Sequence, residues 1–213
     1  MLEGDLVMAL MGLGAASIPA LIGRNGVVRY QRLSALEAHW AAWAAKHQYR
    51  VEPMRRSWVM PMPARVLGPL KGGTWVLDTM RLDPRQMPLS EAAPDFAPRE
   101  YTVIAGRSTR AMYSMAVISN RKLYQARKTP VGYREMEHHD RDFAALCNVT
   151  VAGGSRVEGI EHPRTREALV NLGARPFVAI LMNESVWIRW PGHETDEATL
   201  DAAVQALVGL CQG

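Results

Sequence analysis

The apolar positions of this chain change their spacing three times, and each spacing predicts a different kind of element. Near the N-terminus, Leu6 to Gly23 (LVMALMGLGAASIPALIG) carries no charge over eighteen residues, and Arg24 ends the run. As a helix rising ~1.5 Å per residue it would span ~27 Å, close to the ~30 Å hydrocarbon core of a bilayer. Next, Leu36, Trp40, Trp43 and His47 recur at helical spacing behind the capping-box pattern Ser34-Ala35-Leu36-Glu37, which predicts a helix from there to about His47. Pro53, Pro61, Pro63 and Pro69 then predict irregular chain or short edge strands over 50–72. Strand patterns follow at Thr74–Met80, Tyr101–Ala105 and Met112–Ser119, with the RSTR segment at 107–110 as a hairpin turn. The prolines of 83–98 predict a surface loop, and Leu123–Arg127 extends the meander.

The charged stretch 134–142 (REMEHHDRD) predicts a linker or exposed helical turn. Beyond it the pattern gives a strand at Cys147–Val151, a Gly153-Gly154 break and a helix from Pro163 to Leu172. Two strands, Phe177–Met182 and Val186–Trp190, are joined by an Asn183-Glu184-Ser185 turn. Thr195 or Asp196 caps a final helix with the stripe Leu200, Val204, Leu207, Val208 and Cys211. The expected fold is therefore α+β: an N-terminal, transmembrane helix followed by an antiparallel sheet with helices packed on one face. Three regions are expected: an anchor and basic stop over 1–32, a helix plus β-rich region over 33–134, and a β-α-β-β-α unit over 135–213.

Charge decides the sidedness of the apolar run. Its leading residues include Glu3 and Asp5, unlike a signal peptide, while Arg24, Arg29 and Arg32 follow it. The positive-inside rule then places the N-terminus outside and the rest in the cytoplasm, a single pass through the cytoplasmic membrane. Cys147 and Cys211 lack metal or redox spacing and suit a reducing compartment. Gly12, Ala16 and Ala20 stack on one helical face, a surface for packing against another membrane protein or a second copy.

Residues 99–134 hold eight basic side chains against Glu100 alone. Arg24, Arg29, Arg32, Arg121, Lys122, Arg127 and Lys128 are thus candidates for lipid headgroups or other anions. The same stretch could bind nucleic acid, but Tyr101, Tyr113, Tyr124 and Tyr133 form no stacking motif, so this is the lesser reading. His138, His139 and Asp140, flanked by Glu135 and Glu137, are the densest set of metal-ligand types. Adjacent histidines do not converge from a regular helix and no HExxH spacing occurs, so a metal-dependent hydrolase is an alternative rather than the expectation. No cofactor motif is present: Gly153-Gly154-Ser155-Arg156 lacks the phosphate-loop pattern, and no catalytic residue is assigned.

The segments LEAHWAAWAAKHQYRVEP, DRDFAALCNVTV, PRTREALVNLG, SVWIRWPG and DEATLDAAVQAL resemble a group of uncharacterised bacterial membrane-anchored proteins, over most of residues 36–213. The resemblance implies a membrane-tethered, cytosolic α+β domain without an assigned reaction. The expected role is a single-pass accessory or scaffold protein, a subunit of a larger membrane complex, with lipid as its first partner.

Overall fold

The computed structural model describes residues 27–54, 63–82, 99–121, 129, 131–153, 157–173 and 175–212. Helix α1 covers residues 27–46 and buries Leu33, Leu36, Trp40, Trp43 and Ala44 along one face. Those positions repeat at three- and four-residue intervals, the spacing that points side chains to one side of a helix. The helix already runs at residue 27, seven residues before Ser34, so the capping box does not cap it. Glu37 instead accepts from the Met54 backbone N–H at 3.0 Å, which ties the chain leaving β1 back to the helix.

The strands are β1 (Arg50–Glu52), β2 (Arg65–Leu70), β3 (Gly73–Leu82), β4 (Arg99–Asn120), β5 (Tyr133–Glu135), β6 (Cys147–Ala152) and β7 (Val178–Pro191). They form one antiparallel sheet in the order β1-β2-β3-β4-β6-β5, with β7 on β4. The strand β5 spans residues 133–135 and joins the same sheet through β6, so the sheet continues across residue 134. Both β3 and β6 pair with β4, the first along Arg99–Ala105 and the second along Ala116–Asn120.

Two expected hairpin turns are absent. RSTR lies inside the continuous β4, and Asn183-Glu184-Ser185 lies inside β7. Between Arg107 and Ala116 β4 takes nine steps, while β7 takes four from Ser185 to Leu181. Bulges absorb the surplus, and polar residues placed there imitate a turn. Asn183, at φ 55°, adopts the left-handed conformation that its short polar side chain tolerates.

Helices α2 (Arg141–Leu146), α3 (Glu158–Glu161), α4 (Pro163–Leu172) and α5 (Glu197–Gln212) complete the described elements. The fold class is α+β, as the pattern predicted. Inward residues of the sheet, among them Leu77, Ile104, Ile118, Val149, Val151, Ile188 and Trp190, share one core with Trp40, Trp43, Leu169, Leu172, Leu200 and Leu207. Pro163 opens α4 where its missing N–H costs nothing. Gly209 lets α4 and α5 touch: a Cβ there would lie 2.0 Å from Thr165 Oγ1. The apolar run Leu6–Gly23 lies outside the described residues, and no helix among those described is long and apolar enough to cross a membrane.

Candidate functional site

The corner between β7 and α5 is built around Glu194, a side chain only 7% exposed. Its carboxylate accepts Trp190 Nε1–H at 3.1 Å and the backbone N–H groups of Thr195 and Asp196 at 3.1 and 3.0 Å, with Arg175 at 3.5 Å. Its own N–H donates to Thr102 Oγ1 on β4, and its carbonyl accepts Trp40 Nε1–H from α1 at 2.9 Å. A buried carboxylate persists only when donors replace the water it has lost, and here they come from several elements. One helical turn along α1, Trp43 Nε1 donates to Asp201 of α5 at 2.8 Å, and His47 Nε2 lies 3.2 Å from the same carboxylate. Lys46 pairs with Glu197 at 2.6 Å. α1 is thus an integral wall of the domain, fixed along its length.

The start of α1 meets the end of the sheet at Glu100, where Arg29 Nε comes within 3.3 Å and His193 Nε2 within 3.0 Å. Neither contact is an aligned hydrogen bond, for both nitrogens are enclosed without a well-directed acceptor. Arg81 sits opposite Glu100 in the β3–β4 register. Arg32, one turn beyond Arg29, is exposed, as are Val27 (57%) and Val28 (38%).

Other candidates are distributed differently from the sequence expectation. Gly12, Ala16, Ala20, Arg24, Lys122, Arg127 and Lys128 lie outside the described residues. Arg121 pairs with Glu135 at 3.1 Å, and Arg107 pairs with Glu184 across the bulged ribbon. Tyr101 is buried beneath Arg189, and Tyr133 O–H contacts Met115 Sδ at 3.1 Å. Arg99, Arg107 and Arg110 fall in β4, Arg121 follows it and Arg134 lies in β5, with Arg107 and Arg121 each paired to a carboxylate, an arrangement that does not support a nucleic-acid surface.

The metal alternative also fails on geometry. Asp140 caps α2 by accepting the Phe143 N–H at 3.1 Å and receives Arg166 Nε at 2.8 Å. Those two bonds, Arg166 first, hold its carboxyl below the usual range. His138 turns to the edge of the Phe143 ring, 5.0 Å between centroids, and burial followed by the Arg166 charge lowers its pKa. His139 is exposed. Among the described residues no three His, Cys, Asp or Glu side chains are placed to hold a metal ion. Cys147 and Cys211 are buried thiols pushed up to about 12 by desolvation, so neither is a poised nucleophile.

An open groove of about 730 Å³ runs between α4 and α5, lined by His162, Glu167, Asn171, Gln205 and Gln212 among others. Thr165 forms its floor but is buried against Gly209, so its hydroxyl is not presented to a substrate. The Glu194 corner was missed by sequence reasoning because its partners lie up to 154 residues away, and no local spacing signals them.

The described architecture defines an α+β protein whose single antiparallel sheet carries its helices on one face. Among solved structures, the mycobacterial trehalose monomycolate transport factor A, TtfA, aligns with 82% of this chain and 91% of its own, at 12% identity and a TM-score of 0.49. No protein-family model and no curated protein matches the chain.

Proposed function

We propose that this chain is a single-pass, membrane-tethered accessory protein whose α+β domain serves as a scaffold on the cytoplasmic side. The observation that carries the reading is the docking of α1. The uncharged run ends at Gly23 and α1 is already helical at residue 27, so three residues separate run from helix. Extended chain covers at most ~3.6 Å per residue, so over the four steps from Gly23 to residue 27 the helix starts within about 14 Å of wherever the run ends. With Trp40 and Trp43 buried and hydrogen-bonded across the domain, there is no slack along α1 between tether and sheet. A tether so short suits a subunit held in a set position beside membrane partners. The basic residues after the run favour the cytoplasmic side, with Arg24 and Arg32 as headgroup contacts and Arg29 largely committed to Glu100. Gly12, Ala16 and Ala20 are the proposed packing face within the bilayer, for a second copy or another membrane protein.

Alkaline carbonate washing of membranes from cells expressing the full chain tests this. The protein is expected to stay in the pellet, and Leu13→Arg, which puts a charge at the centre of the run, is expected to release it. Complete release of the unsubstituted protein would overturn the reading.

A further inference from the structure

We infer that residues 137–146, the stretch from the end of β5 through α2, form an acid-released latch: a proton on His138 frees α2 from α4 while the sheet keeps its pairing. The stretch is pinned at both ends and lightly held between them. On one side the Met136 N–H donates to the Val149 carbonyl at 2.8 Å, and on the other Cys147 opens β6 opposite Asn120. Between these points α2 is only six residues long, too short to persist as a helix without partners. Its start is fastened by Arg166 of α4, whose Nε donates to Asp140 at 2.8 Å while Nη1 donates to the Ile160 and Glu161 carbonyls at 3.1 and 2.6 Å. Phe143, buried in the core, supplies the apolar contact.

His138 sits inside this fastening. Its ring meets that of Phe143 in a T-shaped contact, 5.0 Å between centroids, and its Nδ1 lies 3.5 Å from the Asp140 backbone nitrogen. That N–H finds an acceptor there only while Nδ1 carries a lone pair. A proton taken from solvent at Nδ1 sets N–H against N–H and adds a cation beside the Arg166 guanidinium. The charged groups facing His138 are Arg166 of α4, Glu161 of α3, and Asp140 and His139 of its own stretch. Both carboxylates favour the cation, but burial first and Arg166 second outweigh them and lower the pKa. Asp140 is held low by Arg166 and the Phe143 N–H, so it stays ionised where His138 titrates. The released stretch therefore takes up a proton more readily than the docked one, and docking weakens as pH falls below ~6.5. Release bares Phe143 and the Cys147 end of β6, an apolar surface presented only in acid. The latch is independent of the tether.

The two buried native thiols test this in the full chain, because Cys147 lies at the end of the latch and Cys211 in α5. The probe is 4,4′-dithiodipyridine, which reacts with thiols in mild acid, and peptide mass identifies the modified cysteine. Each rate is divided by that of the denatured chain at the same pH, which removes the direct effect of acid on the thiol. Between about pH 7.5 and about pH 5.5 the protection of Cys147 should fall about threefold or more, while that of Cys211 stays level. His138→Gln, or His138→Asn should the first variant fold poorly, should flatten the Cys147 profile. His139→Gln, at an exposed position, should leave it intact. Constant Cys147 protection across that range, loss of Cys211 protection in step with it, or a profile unchanged by the His138 variants would overturn the inference.

Discussion

Glu194 shows how much one side chain holds in place. Its carboxylate receives an indole N–H and two backbone N–H groups, so Glu194→Gln exchanges an acceptor oxygen for a donor amide facing other donors. The expected cost is about 2–4 kcal/mol, read as a lower urea midpoint at unchanged slope. Trp40→Phe keeps the apolar contact but orphans one carbonyl, and should cost about 1–3 kcal/mol. A pH series separates the titrating groups. Asp140, held low by Arg166 and the Phe143 N–H, contributes stability that is present above its unfolded value of ~3.9 and lost as pH falls through the folded one. His138 is kept neutral by burial, so its contribution is lost as pH drops below ~6.5. Asp140→Ala should remove about 1 kcal/mol of capping and flatten the acid limb. The buried thiols act at the other extreme: the unfolded chain ionises first, so stability declines as pH rises from ~8.5 toward about 12. An aromatic disulfide reagent at pH 8 should leave both cysteines unmodified until denaturant is added.

Between elements, the tightest constraint is the approach of α4 to α5. Gly209→Ala places a methyl 2.0 Å from Thr165 Oγ1 and 3.0 Å from its Cβ, and neither helix can retreat without opening the core. The expected penalty is about 1–3 kcal/mol, and Thr165→Gly in the same chain should recover a good part of it in a double-mutant cycle. This scale is also where sequence was most and least informative. Pro163–Leu172 and the final helix were readable because a proline start, an Asp196 cap and a regular stripe are local signals. β3 and β6 were readable from their β-branched and apolar runs. The two false turns were not, because polar residues in a bulge are locally the same as polar residues in a hairpin, and only pairing with a distant strand tells them apart. The capping box failed similarly: Ser34 and Glu37 have the right spacing, but the helix was already under way and Glu37 is used by Met54.

For the molecule as a whole, the sheet is continuous from β1 to β7, and the functional candidates read from composition were scattered by it. Sequence charge counts merged Arg107, Arg121 and Arg134 into one basic stretch, whereas a long strand separates them and carboxylates from elsewhere answer two of them. The Glu100 cluster was invisible for the converse reason, since Arg29, Arg81, Glu100 and His193 are spread over 165 positions and meet only through α1 docking and strand register. What remained readable from the first was the uncharged run and the arginines behind it, the basis of the proposed tether. Its most direct test is the sidedness of the full-length Arg141→Cys chain in membrane vesicles of defined orientation. A membrane-impermeant maleimide should label position 141 in inside-out vesicles and not in sealed right-side-out ones, with the labelled protein remaining in the membrane fraction. Labelling from the outer side, or a labelled chain that leaves with the soluble fraction, would contradict the account.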